Sequence, residues 1–522
     1  MSEQDPNFEM APPPQPVRRL GLGLRSVLQI IFAVLCVGFV FYLGITHHSR
    51  KDLTQSGTFT LSEATIKLLD SSSLQDCEKP VKIIAALRKG SPHYPRLRAL
   101  IEEYERLADG KIKVDYLDPI LDKDRAAEVA NNYSEVLADQ LFSDEIFIID
   151  ARQSTPEEKP DQTKDEKVLE AINGGLRYLN VKDMLVMRID ENKQRRIIGY
   201  RDEDFLSSAL QSALEGRPRV MYLLEDKSDI DVGDANSPWV VLRDALGKQN
   251  ILLISVRISE LEKIPDNAEG VVLVAPQYDF EPKEMEALKE YWRRESASLM
   301  FYLDPSARPD NLRAFMRDHG VTLQDDRVLT TRNGRTETKV QAAFTSLADV
   351  SAKLEGKSTT FEGRVASLEV REGAEDLATR GITCISLIEA EPRYWGETNY
   401  TQSQPTYDDQ TDNPGPLSIG AAVIKGNANN DLTADKVSKM IILSTTDFLE
   451  PGLRNAQLDF VKNSTHWLLG REELIGIGPR GLERRRLNLI KEEVTQLQRI
   501  AVFFIPFGLF LVGMMVWNSR RA

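Results

Sequence analysis

A chain of 522 residues is too long for one small core and leaves room for two or more domains. Its net charge of −14 and pI of about 5.2 exclude a general nucleic-acid binder, because most of its surface would repel a polyanion. Its three cysteines, Cys36, Cys77 and Cys384, lie far apart with no CxxC or Cys/His spacing, which excludes a cysteine-built metal site; Cys77 and Cys384 can pair only if the fold brings them together.

Residues 1–26 are polar and Pro-rich at the start and predict a disordered cytoplasmic tail. Residues 27–45, VLQIIFAVLCVGFVFYLGI, carry no charge and are long enough for a transmembrane helix. Residues 500–517 are a second uncharged stretch, read as another transmembrane helix. Arg18, Arg19 and Arg25 before the first, and Arg520 and Arg521 after the second, predict that both ends face the cytoplasm. The expected location is the cytoplasmic (inner) membrane, with residues 46–499 extracytoplasmic and 518–522 a short cytoplasmic tail.

Residues 46–217 read as a first α/β domain. Thr60 or Ser62 can cap a helix running to Leu69. Strands are expected at 81–87, 112–116 and 145–150, with helices at 94–107 and 124–131 between them. On the first of those helices Leu97, Leu100, Ile101, Tyr104 and Leu107 share one face. This order suits a thioredoxin-like domain, but RKGSPHY follows the first strand where a CxxC would have to stand, so disulfide exchange is excluded. Residues 153–170 form a charged loop, strands are expected near 184–189 and 196–200, and 202–216 is an amphipathic helix with Phe205, Leu206, Leu210 and Leu214 apolar.

Residues 218–480 read as a second α/β domain. A strand at 220–224 leads into the acidic loop 225–237, a helix at 238–247 and a strand at 251–255. Residues 269–305 form a strand–helix–strand unit, with strands at 271–275 and 299–303 and a helix opened by Pro282, which predicts a right-handed crossover. In an open α/β sheet, ligands sit beyond the carboxyl ends of the strands. Gln277, Asp279, Asp304 and Ser306 there, and Glu225, Asp226, Asp229 and Asp231 in the acidic loop, are therefore the candidate ligand- or partner-binding residues. The acidic set suits a hard cation but lacks the EF-hand spacing and reads as a solvated loop. A helix at 311–318 follows, then an irregular insertion at 330–435 with short β-like runs at 338–343, 363–370, 382–386 and 417–424. A strand at 439–444, a helix at 455–469 and a charged juxtamembrane helix at 481–499 complete the order. No GxxxxGK[ST], GxSxG or HExxH is present, and the GxGxxG match at Gly476, Gly478 and Gly481 is a chance spacing interrupted by Pro479. No catalytic residue, cofactor site or metal site is expected.

Three segments share a family pattern: DLTQSGTFTLSEATIKLL at 52–69, the AP…EMEALKEYWRR…LMFYLDP stretch, and MIILSTTDFLEPG…LDFVKNSTHWLLGREELIGIGPR within 440–480. In this order they resemble the auxiliary component of gliding-motility-type ABC transport systems. The resemblance implies an envelope protein with a flavodoxin-like or class I glutamine-amidotransferase-like second domain. Its partners would be an ABC permease subunit with its separate ATPase, the membrane, and an envelope protein or polysaccharide ligand, with no nucleic acid. The chain departs from that pattern at LLEDKSD, where the family often has Gly-His-Gly-Glu, and at Pro276-Gln277-Tyr278, where an amidotransferase would need a nucleophilic Cys with a His partner. A non-catalytic accessory role follows. The alternatives are a structural envelope scaffold without a transport role and a metal-dependent envelope hydrolase using the acidic loop.

Overall fold

A computed structural model describes residues 31, 32, 34–39, 42, 60–133, 140–153, 171, 173–189, 194–231, 233–234, 237–247, 249–332, 335–402, 404–426, 437–450, 455–477, 480–481 and 505–519. The expected tail at 1–26, most of the charged loop at 153–170 and nearly all of the juxtamembrane helix at 481–499 lie outside the described residues, as do Gly478 and Pro479. Met1–Thr60 is a unit by itself, containing the helical residues at 31–42; the elements below all belong to the second unit, Leu61–Ala522.

Strands β1 (Val81–Ala86), β2 (Ile112–Leu117), β3 (Ile146–Asp150) and β4 (Leu176–Asn180) form a sheet in the order β2-β1-β3-β4. β1 and β2 are parallel, whereas β3 runs antiparallel to β1 and β4 to β3. The Tyr94–Leu107 helix makes the parallel crossover and buries Leu97, Ile101 and Tyr104, the face expected from its apolar spacing. Ser62 caps the Glu63–Leu69 helix, its Oγ accepting the N–H of Thr65 at 3.2 Å. A hairpin of β5 (Leu185–Ile189) and β6 (Arg195–Tyr200) follows.

Next comes the Asp202–Glu215 helix, which differs from its sequence reading. The apolar stripe predicts one buried face, but every residue from Asp202 to Ala213 is buried. Its apolar side packs into the core of the first sheet. Its polar groups are matched on both sides: Asp202 pairs with Arg96 of the Tyr94–Leu107 helix at 2.6 Å and Glu203 accepts from the Thr65 hydroxyl at 2.7 Å, while toward the C-terminal half of the chain Asp204 pairs with Lys462 and Glu215 with Arg471. Burial on both sides is tolerated because those ions are paired.

The strands that follow are β7 (Arg219–Leu224), β8 (Ile251–Val256), β9 (Gly270–Val274), β10 (Ser298–Tyr302), β11 (Val321–Leu323), β12 (Arg327–Arg332), β13 (Arg335–Glu337), β14 (Val340–Phe344), β15 (Ser358–Phe361), β16 (Leu368–Val370), β17 (Ile382–Ala390), β18 (Trp395–Glu397), β19 (Ser418–Lys425) and β20 (Ser438–Leu443), and all of these but β12, β13 and β18 form the second sheet; β21 (Arg480–Gly481) pairs back onto β6. Its main path runs β15-β14-β17-β19-β20-β10-β9-β7-β8. The five strands from β20 to β8 are mutually parallel. β19, β17, β14 and β15 extend the sheet antiparallel, so much of residues 330–435 is sheet, while β12, β13 and β18 form a small sheet apart.

The pleat divides the core into two layers. Val272, Val274, Met300, Tyr302, Ile441 and Leu443 face the Pro238–Gly247 and Asn455–Leu468 helices. Val271, Leu273, Leu299, Phe301, Met440 and Ile442 face Pro282–Arg293 and Asp310–Asp318. Helices on both faces explain why these strands are continuous apolar runs rather than alternating ones.

The structure overturns the membrane reading. Among the described residues no helix is long and apolar enough to cross a membrane. The described part of the C-terminal helix, Ile505–Ser519, has 15 residues, or about 22 Å at 1.5 Å each, short of the ~30 Å of a bilayer's hydrocarbon. At the N-terminal stretch only helical residues within 31–42 are described. Hydropathy reports the apolar character of these stretches, whereas a span also needs enough continuous helix, which the described residues do not supply. The two transmembrane helices, the inner-membrane location and the extracytoplasmic placement built on them are withdrawn together. Cys77 and Cys384 do not pair: both are free, and the buried Cys384 thiol donates to the carbonyl of His319 at 3.1 Å.

Candidate functional site

In the parallel part of the second sheet the strand order reverses between β7 and β9, the position where open α/β sheets leave a ligand crevice. Here the chain fills that crevice itself. The loop after β7 crosses over, so that Ser228 Oγ donates to the Val274 carbonyl and the Lys227 carbonyl accepts from the N–H of Gln277 at 2.7 Å. The Lys227 ammonium is buried against Glu284 at 2.6 Å and lies 5.4 Å from the Phe280 ring.

The candidate residues of the acidic loop do not converge. Glu225 accepts from the Ser255 hydroxyl and lies 3.5 Å from Arg257. Asp226 caps the turn at Ile258–Glu260, accepting from the N–H groups of Ile258 and Ser259 at 3.0 Å each. Burial pushes its pKa up, but those donors and Lys227 outweigh burial and hold it below the usual carboxylate value. Asp229 accepts from the Tyr278 hydroxyl at 2.6 Å, and Asp231 from the N–H of Gly233 at 2.8 Å. Asp279 holds the start of the Asp310–Asp318 helix, accepting from Asn311 N at 3.0 Å and Nδ2 at 3.0 Å. These are structural roles. Among the described residues no group of three or more His, Cys, Asp and Glu side chains is placed to hold a metal ion.

Gln277, Asp304 and Ser306 are brought together, one strand along, at the carboxyl end of β10. Gln277 Nε2 donates to Asp304 Oδ2 at 2.8 Å, and the N–H of Ser306 donates to Oδ1 at 2.8 Å. Burial raises the Asp304 pKa, but the Ser306 N–H, Gln277 and the charge of Arg364 more than offset it, so the carboxyl stays ionised. Around Ser306 stand three arginines that the sequence reading did not single out. Arg364 donates to its Oγ at 2.6 Å and Arg327 at 3.3 Å. Arg308 donates to the Pro305 carbonyl at 2.7 Å and pairs with Asp325 at 3.1 Å.

Two buried carboxylates set this geometry. Asp447 accepts the N–H groups of Glu362 and Gly363 at 2.6 Å each and so fixes the turn that carries Arg364. A Cβ on Gly363 would fall 2.1 Å from Asp447 Oδ1, so only glycine fits there. Asp326 is fully buried and accepts from Ser367 N at 2.8 Å and Asn413 Nδ2 at 2.7 Å. It anchors β12 beside β18, and the Arg327 guanidinium then lies 4.5 Å from the Tyr400 ring centre. Arg308 shares the loop of Ser306, but Arg327 and Arg364 carry no spacing to it that a sequence could reveal; the register of β12 with β18 and the Asp447 clasp bring them there.

The turn after β9 holds no nucleophile. Ala275 there has φ of +46°, a left-handed conformation in a tight strand-to-helix turn, and Pro276 and Gln277 follow it. In the first sheet, an open cleft of about 500 Å³ lies at the carboxyl ends of β1 and β2, lined by residues 88–93, Asp118, Ile120, Leu121 and Glu145. Ser91 donates to Glu145 at 2.9 Å and His93 Nδ1 is 2.9 Å from the Tyr200 hydroxyl.

The family described as a domain of unknown function (DUF7088) matches residues 55–172, the region of the first sheet's opening strands. No curated protein matches the sequence significantly. Among solved structures, the chain is similar to the mmIFT52 N-terminal domain, at 13% identity over 48% of this chain and 97% of that one, with a TM-score of 0.33. It is also similar to a ThuA-like protein from Bacteroides uniformis ATCC 8492, at 13% identity over 48% and 92%, TM-score 0.29. A beta-galactosidase from Bacillus circulans sp. alkalophilus matches at 14% identity over 48% and 33%, TM-score 0.25. Scores this low carry no statement about activity.

Proposed function

We propose that the chain is a non-catalytic accessory subunit of an ABC-type transport system, resembling those involved in gliding motility. It works with a separate permease and ATPase and presents the carboxyl edge of its second sheet as a binding surface. The observation that carries this reading is the chemistry of that edge. Guanidinium, amide and hydroxyl groups gather at Ser306, while the turn after β9 offers Ala275, Pro276 and Gln277 rather than a nucleophile with a base.

The first sheet is read as thioredoxin-like without CxxC and the second as flavodoxin- or class I glutamine-amidotransferase-like. The order β8-β7-β9-β10-β20 supports the second reading, being the doubly wound 2-1-3-4-5 order. The metal-dependent hydrolase reading gains no support from Asp229 and Asp231, each tied to its own donor.

The test is affinity purification of the tagged chain from its own cells in mild detergent, with mass spectrometry of what comes with it. An ABC permease and its ATPase should be enriched over a mock purification. Recovery of neither, from cells shown to express both, would sink the proposal.

A further inference from the structure

We infer that Ser306, Arg327 and Arg364 form a binding site for an oxyanion, a carboxylate or a phosphate group carried on a small molecule, at the carboxyl end of β10. The inference rests on reading this edge as a binding surface and names the chemistry it accepts.

The first observation is a mismatch of charge. Two guanidiniums donate to one neutral oxygen, Ser306 Oγ, at 2.6 and 3.3 Å. A hydroxyl balances neither cation. Among the described residues neither Arg327 nor Arg364 forms an ion pair. Asp304, the carboxylate at the same strand end, directs its oxygens to Gln277 and the Ser306 N–H, and Asp325 is taken by Arg308 and Arg313. Burial lowers the Arg327 pKa, and the like charges of Arg308 and Arg364 lower it further, against the opposing pull of Tyr400 and Asp304.

The second observation is how firmly the cations are held. Arg327 is half-buried, stacked on Tyr400, and donates to the Pro305 and Asp326 carbonyls at 3.1 and 3.0 Å. Arg364 is placed by the Asp447 clasp on residues 362–363. Such pre-positioning lowers the entropy lost when a ligand is bound. The third observation is access. Ser306 and Arg364 are exposed, and Arg364 commits one of its five N–H donors to Ser306. The planar forks match the two-oxygen face of a carboxylate or phosphate, which displaces the Ser306 hydroxyl as acceptor while Ser306 remains as a donor.

The experiment is isothermal titration of the purified full chain, at low ionic strength, with inorganic phosphate, with glucuronate, and with glucose as the neutral control. Phosphate, glucuronate or both should bind, and glucose should not. Which anion binds more tightly identifies the source of the oxyanion. Arg364→Gln should weaken binding at least about tenfold, and Arg364→Lys should recover part of it, since it keeps the charge without the fork. Arg364 is exposed, so these variants fold irrespective of the site; Arg327→Gln is the second variant, with circular dichroism to show that it is folded. Binding of neither anion by the wild-type chain, or equal binding by wild type and Arg364→Gln, overturns the inference. Because no partner is present, failure here leaves the transport reading standing, and failure to recover a permease leaves the anion site standing.

Discussion

Gly396 shows how one missing side chain can hold a site together. A Cβ at that position would stand 2.0 Å from Asp326 Oδ2 and 3.0 Å from the Asn413 side chain. Asp326 cannot retreat, because it is fully buried and bonded to Ser367 and Asn413. Gly396→Ala should therefore lower stability by about 1–3 kcal/mol through overpacking, as measured by urea denaturation. It should also loosen Arg327 from Tyr400, since β12 and β18 are paired through Gly396 itself. A variant as stable as wild type would show that the Asp326 network yields more easily than its burial implies. The same reasoning gives the acidic residues of the loop after β7 their place. Asp226, Asp229 and Asp231 look in sequence like a ligand cluster, and in the fold each one ends a turn or receives a hydroxyl.

Two histidines in the layers of the second sheet, one within a helix and one just past the end of another, make its stability depend on pH. His466, on Asn455–Leu468, is fully buried, donates through Nε2 to Gln249 Oε1 at 3.2 Å and has no partner at Nδ1 among the described residues. Burial first, then the charges of Arg471 and Lys462, keep its pKa well below the usual 6.5. His319 accepts from Trp292 Nε1 at 2.9 Å through Nε2, so its proton sits on Nδ1 and goes to the Phe315 carbonyl at 2.7 Å. Burial again lowers its pKa. Both rings stay neutral in the fold while the unfolded chain takes up protons below about pH 6.5. The unfolded state thus binds more protons there, and stability is full above that value and falls as pH drops through it. Each ring contributes a slope of up to about 1.4 kcal/mol per pH unit. His466→Gln should remove one proton from the uptake on unfolding between roughly pH 7 and 5.5, leaving the His319 share; an unchanged slope would rule His466 out. At this scale much of the fold was legible in the sequence. Apolar runs bounded by proline and glycine marked the parallel strands, and the helix face at Met285, Leu288, Tyr291 and Trp292 is the one buried. The site was legible only in part. Gln277, Asp304, Ser306 and Arg308 lie at strand ends that periodicity locates, whereas Arg327 and Arg364 depend on the pairing of β12 with β18 and on the Asp447 clasp, which no local pattern encodes.

Across the whole second unit, the two sheets are joined by buried charge as well as by apolar contact. Arg201 pairs with Asp459 at 3.1 Å and reaches Asp204 at 3.5 Å, and Asp204 also pairs with Lys462; all four are nearly inaccessible to solvent. Such a group adds little over an apolar replacement, but losing one member strands its partner. Lys462→Met should cost about 3–5 kcal/mol, and adding Asp204→Leu should restore most of it. A double-mutant cycle in urea reads both, and a single-variant loss below about 1 kcal/mol would mean water reaches the network. The parallel strand β20 has a consequence of another kind. It pairs with β10, yet Tyr302 and Ser438 are separated by the entire run of strands from β11 to β19. While a ribosome makes that run, for about 7–27 s at 5–20 residues per second, the open edge of β10 stands without its neighbour. β10 is buried throughout in the finished fold and apolar from Leu299 to Phe301, so the nascent chain carries a sticky, half-built sheet through that interval. Its yield in a foreign host will follow the pace of translation and the supply of chaperones more closely than it follows the stability of the finished fold.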